Sequence, residues 1–175
     1  MEIPNRCFSW LKPITMAAVK GLLTPVVEGA VSYVNALALA DARGVTVDEG
    51  RSSETSPFAG LLRLTLETDS GTTTTAGTLY APDRPRLVEV DGTSIELRPE
   101  GHMLFVRNRD VPGVVGKIGT ILGRADVNIA GFHLGRPRGD ANAVSILTTD
   151  DAVPAGALEE IRGIEQVLVA RALCV

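Results

Sequence analysis

Two hydrophobic rhythms alternate along the chain. In "TMAAVKGLLTPVVEGAVSYVNALALADARG", residues 15–44, apolar positions recur every three to four residues, as on one face of a helix. The spacing predicts two helices. Ala17, Lys20, Leu23 and Val27 fall near one face of the first, and Pro25 bends or breaks the run because it lacks an N–H and crowds the preceding turn. The second is predicted to begin near Gly29 and to present Val31, Val34, Leu37 and Ala38, with Gly44 where a C-terminal cap belongs.

After Gly44 the period drops to two. "GVTVDEG", "LLRLTLETD", "TTTTAGTLYA", "RLVEVDG" and "SIELRP" alternate or nearly alternate and are rich in β-branched residues, so each is predicted to be a strand. The four threonines 72–75 suit an exposed strand. Asp91-Gly92, between two such runs, is a strong hairpin signal. Residues 1–98 are therefore expected to form one α+β domain, with "RPEG", residues 98–101, as the boundary to a second domain over 99–175.

From His102 the order becomes strand, helix, strand, strand, helix, strand. The strands are "HMLFVRN", "VNIAGFHLG", "ANAVSILTT" and "QVLVARAL", with "RPRGDAN" turning between the middle two. The first helix is predicted from near Pro112 to Gly123, burying Val114, Ile118, Ile121 and Leu122. The second opens at Pro154 and turns Leu158 and Ile161 inward. A βαββαβ order is the ferredoxin-like arrangement, and the fold class is α+β. Its helices cover one face of the sheet, which leaves the other face and the edge strands for a partner.

Composition narrows the function classes. The 175 residues carry 45% hydrophobic residues and a net charge of −4, with a mean hydropathy of +0.17. That charge argues against nucleic acid, which asks for a basic face. No apolar run approaches the ~20 residues that span a bilayer, and "MEIPNRCFSWLKP" lacks the pattern of a signal peptide. No membrane partner and a cytoplasmic location are expected. Cys7 and Cys174 lack metal-ligand spacing, and His102 and His133 each fall in a strand-like run. No metal site and no catalytic residue are therefore expected.

One stretch looks built to hold something small: "FVRNRDVPGVVGKIGTILGRADVNIAGFHLG", residues 105–135. The end of the first strand and the start of the first helix are expected to adjoin the start of the second strand, bringing "NRD", residues 108–110, close to Asn128. The chemistry favours a free amino acid. N–H groups of a first helical turn can take a carboxylate, Asp110 can pair with an ammonium, and Asn108 or Asn128 can donate and accept. The competing reading is a solvated turn in which Asn108 or Asp110 caps the helix. "GKIGTILG" does not fill a phosphate-loop pattern; its glycines fall inside a helix and are expected to permit close packing on the sheet or on a partner.

The run "GHMLFVRNRDVPGVVGKIGTILGRADVNIAGFHLGR" resembles the start of the ACT domain of D-3-phosphoglycerate dehydrogenases. "AAVKGLLTPVVEGAVSYVNALALADARGV" and "AGTLYAPDRPRLVEVDG" resemble their intervening, allosteric substrate-binding domain. A related pairing occurs in bacterial iron–sulfur L-serine dehydratases, but "VRNRDVPGVVGKIGTILG" is closer to the dehydrogenases; a stand-alone ACT-type binding protein is a further alternative. The resemblance implies a regulatory region that binds L-serine, or a similar small amino acid, for feedback inhibition in serine biosynthesis. The effector would be held between two ACT domains joined side by side in a homo-oligomer. Carried over position by position, the effector contacts fall on Asn108, Asp110, Asn128 and Ile129, and a second, anion-binding site would use Arg86 and Arg98. The position of that second site's third basic residue is occupied here by Thr148, a departure from the family's pattern. The family's substrate and NAD-binding domains, with their catalytic Arg, Glu and His, have no counterpart in the sequence. The chain is thus expected to be the tail of a longer enzyme, lacking its opening segment, with no cofactor of its own and no dehydrogenase chemistry.

Overall fold

A computed structural model describes residues 11–50, 52, 57, 58, 60–136 and 141–175. Cys7 and most of the "RPRGDAN" turn lie outside the described residues. The chain divides into two compact units, Met1–Thr55 and Ser56–Val175. Among the described residues no helix is long and apolar enough to cross a membrane.

In the first unit, α1 (Leu11–Leu23) and α2 (Ala36–Asp41) enclose a small core of Val19, Leu23, Ala36 and Ala40. The second helix is shorter than its periodicity suggests. Ser32 and Asn35 exchange hydrogen bonds, Ser32 N–H to Asn35 Oδ1 at 2.7 Å and Asn35 N–H to Ser32 Oγ at 3.3 Å, in the manner of a capping box. This polar knot holds the start of the helix in place and leaves Val34 exposed, and Ala17 of α1 is exposed as well. The buried positions are Val19 and Leu23 of α1 and Ala36 and Ala40 of α2, where the two helices approach. Gly44, with φ +71, ends the helix in a Schellman pattern, Val45 N–H to Ala40 O at 3.0 Å and Gly44 N–H to Asp41 O at 2.9 Å. "GVTVDEG" forms no strand, because Val45 and Val47 pack back onto the helix pair.

The second unit holds both sheets. β1 (Leu62–Thr68), β2 (Gly71–Leu79), β3 (Pro85–Val90) and β4 (Thr93–Leu97) form an antiparallel meander in that order. The Asp91-Gly92 turn has φ of +47 and +73, the pair of positive values that a tight hairpin matched to strand twist requires. β5 (His102–Arg109), α3 (Val114–Arg124), β6 (Ile129–Gly135), β7 (Asn142–Thr149), α4 (Ala155–Arg162) and β8 (Val167–Cys174) form the βαββαβ module. Its antiparallel sheet has the order β6-β7-β5-β8, so the ferredoxin-like α+β expectation holds. Leu104, Val106 and Leu147 from the sheet bury against Ile118 and Leu122 of α3 and Ile161 of α4.

The face of this sheet away from the helices is not left open. Met103, Val144 and Ile146 pack there against Val90, Ile95 and Leu97 of β3 and β4. That shared apolar layer is why the packing units divide after Thr55 while the period change suggests a boundary near residue 99. The β3–β4 hairpin also grips the second sheet with charge: Asp91 pairs with Arg107 of β5 while accepting from Thr74 N–H at 2.8 Å.

The glycines of α3 do not pack on the sheet. A Cβ added at Gly116, Gly119 or Gly123 would meet nothing within 4 Å. Gly119→Ala should therefore stabilise the protein by roughly 0.5–1 kcal/mol through reduced backbone freedom in the unfolded chain. Thermal melting should show a midpoint higher by about 2–4 °C. A lower midpoint with loss of self-association would instead make the stripe a partner contact.

Candidate functional site

The described residues form a cleft of about 250 Å³ at the C-terminal end of β5. Asn108, Asp110, Val111, Pro112, Leu134 and Arg136 are among its lining residues. Three backbone bonds fix its floor: Arg109 N–H to Gln166 O at 2.8 Å, Asp110 N–H to Ala141 O at 2.8 Å, and Val111 N–H to Arg109 O at 2.9 Å. A chain segment tied on both sides in this way is preorganised, so a ligand entering the cleft meets little ordering cost.

Helix α3 begins at Val114, two residues later than the sequence reading placed it. Gly113 is its N-cap with φ +92, a left-handed conformation that a helical residue cannot share and that a β-carbon would strain. Among the described residues no side-chain hydrogen bond caps this helix. Asn108 and Asp110 are therefore not the capping residues of a solvated turn. Asn108 is buried and donates its amide to Arg109 O at 2.7 Å. Asp110 is partly exposed and lies 2.8 Å from the Arg136 guanidinium, Oδ2 to Nε. The mouth is apolar and open to solvent at Val111, Val115 and Leu134, each more than a third exposed.

Asn128 and Ile129 are not at this cleft. Val144 pairs with both Arg107 and Gly135, and Thr149 with both His102 and Ile129. The start of β6 is thus level with the start of β5, because a crossover through a helix returns the chain in the same direction. The expected closeness of Asn128 to residues 108–110 within one chain is wrong by the length of β6, roughly 20 Å at ~3.3 Å per residue. Asn128 instead donates to Asp150 Oδ2 at 2.7 Å at the opposite sheet end. Arg136 lines the cleft instead; it is the last residue of the quoted run and reads in the sequence only as the start of a turn.

Arg86 and Arg98 flank the Leu87–Leu97 pair of β3 and β4. Each is already engaged, Arg86 over the Tyr80 ring at 5.6 Å and Arg98 with Glu100 at 2.8 Å. Thr148 lies on β7, paired with Met103.

Two family models match the chain, the D-3-phosphoglycerate dehydrogenase intervening domain over residues 9–91 and the ACT domain over residues 102–166. The chain thus carries an intervening domain of the D-3-phosphoglycerate dehydrogenase type followed by an ACT domain. It is 37% identical over 150 residues to the D-3-phosphoglycerate dehydrogenase of Synechocystis sp., a match spanning 86% of this chain and 27% of that enzyme. It is 31% identical over 155 residues to that of Bacillus subtilis, spanning 89% of this chain and 30% of the enzyme. With that of Mycobacterium tuberculosis it is 36% identical over 143 residues, spanning 81% and 27%. The chain thus spans between a quarter and a third of the length of these relatives. The cleft lies wholly within the ACT domain, and the β3–β4 hairpin that grips its sheet comes from the intervening side of the chain.

Proposed function

We propose that this chain is an amino-acid-sensing regulatory region and that L-serine is its effector. The observation that carries the reading is the cleft itself, where a carboxylate, a buried amide and an uncapped helix start converge on one small preorganised space. The α-ammonium would lie toward Asp110 and the α-carboxylate toward the first turn of α3, whose N–H groups carry the positive end of the helix dipole.

A second copy of the chain would complete the site. β6 is an edge strand of its sheet, with Phe132 and Leu134 each about two-fifths exposed beside the cleft. A two-fold interface pairs a strand with its own copy antiparallel. Pairing β6 in this way sets the start of one β6 beside the end of the other, which delivers Asn128 and Ile129 of the second copy to the cleft. It would also cover an edge that otherwise presents unpaired backbone groups. Feedback in a longer enzyme would then act through the dimer, with a coupling of ~1–3 kcal/mol.

Calorimetry with a panel of amino acids, together with light scattering at micromolar protein, tests this. A dimer that binds L-serine in preference to bulkier amino acids, without turnover of NAD, is the expected result. A strict monomer that binds none of them contradicts the reading.

A further inference from the structure

We infer that Arg136 makes the cleft selective for the zwitterion, acting as a movable counter-ion that exchanges Asp110 for the ligand's carboxylate. The inference rests on the reading of the cleft as an amino-acid site and adds to it a residue outside the "NRDVPG" motif. Asp110 and Arg136 place opposite charges 2.8 Å apart on its wall. A free α-amino acid carries the same two charges, adjacent and in mirror order. The pair is a ready-made complement to that head group. A ligand with only an amine or only a carboxylate would break the pair and satisfy half of it.

The exchange is cheap on the protein's side. Arg136 is two-thirds exposed in its side chain and Asp110 one-third, and ion pairs of this kind contribute little to stability because water screens them. Opening it therefore costs little, whereas the new contacts form in a cleft lined by Val115 and Leu134. Contact with Asp110 runs through Nε. A guanidinium carries five N–H donors in a planar fork, a geometry that can take a carboxylate with two parallel bonds. Lysine has no such fork.

Position matters as much as charge. Arg136 follows Gly135, the last residue of β6, which is buried against the β3–β4 hairpin. A β-carbon built at Gly135 would fall on the Thr93 methyl and lie 2.8 Å from Ser94 O. The backbone that delivers Arg136 is therefore clamped, and only the side chain needs to swing.

The test is titration of the full chain with L-serine and with ethanolamine, which keeps the ammonium and hydroxyl but lacks the carboxylate. The parent chain should prefer L-serine. Arg136→Gln should weaken L-serine by about tenfold or more, leave ethanolamine unchanged or tighter because Asp110 loses a competitor, and so narrow the preference. Arg136→Lys should fall between, keeping charge without the fork. L-serine binding within about twofold of the parent for Arg136→Gln, or equal weakening of both ligands, overturns the inference while the cleft reading stands. A parent chain that binds neither ligand overturns the cleft reading, and this inference with it.

Discussion

Asp110→Ala should weaken L-serine roughly ten- to a hundredfold, because removing one charged hydrogen-bond partner from a partly buried site costs on the order of 1.5–3 kcal/mol. The fold should survive. The main-chain ties of residue 110 run through its N–H to Ala141 O, which the substitution leaves in place, and the lost Arg136 contact is solvent-screened. Asn128→Ala should cost a comparable amount even though Asn128 sits at the far end of the same sheet, since the copy it serves is the neighbour's. Arg109→Ala, at an exposed position at the end of β5, should change serine affinity little. Isothermal calorimetry of the three variants separates these outcomes. An Asp110→Ala chain that binds serine as tightly as the parent places the effector elsewhere.

Gly135→Ala should be the most damaging small substitution in the second unit. Its new methyl would collide with the Thr93 side chain and approach Ser94 O to 2.8 Å, closer than carbon and oxygen tolerate. Overpacking of a filled interior costs about 1–3 kcal/mol, and contact with backbone, which cannot rotate away, favours the upper end. Chemical denaturation should show that loss as a lower midpoint with unchanged slope. Thr93→Ala in the same chain should recover part of it, because the two sites share one contact. An unshifted midpoint for Gly135→Ala would mean that the hairpin does not rest on β6.

Much of this arrangement is legible in the sequence because local and tertiary signals agree there. The βαββαβ module has strong period changes, a Pro-Gly turn and a glycine-bounded helix, and its strands fall within two residues of their expected limits. Asn108 and Asp110 stand out because polar residues at the end of an apolar strand need a reason, and the uncapped helix removes the ordinary one. Where the reading failed, information from outside the local pattern decided. Val34 follows the helical period yet lies outside the short helix that the Ser32–Asn35 exchange sets. "GVTVDEG" alternates like a strand but forms none, and its valines pack on the helix pair instead. Asn128 lies away from Asp110 because a crossover through a helix returns β6 parallel to β5, so the start of β6 is level with the start of β5 and does not adjoin its end. Arg136 carries no local mark at all. Only the pairing of β6 with β7 brings it back over the end of β5.

The most direct test of the shared site mixes two defective chains. Asp110→Ala and Asn128→Ala proteins should each bind L-serine poorly alone. After subunit exchange, every mixed dimer would hold one site with both substitutions and one with neither, so about one site in four should regain parental affinity at equal mixing. Recovery of that tight fraction by calorimetry is the predicted result. A mixture that binds no better than its two components, while the parent chain binds serine tightly, would contradict a site built from two copies.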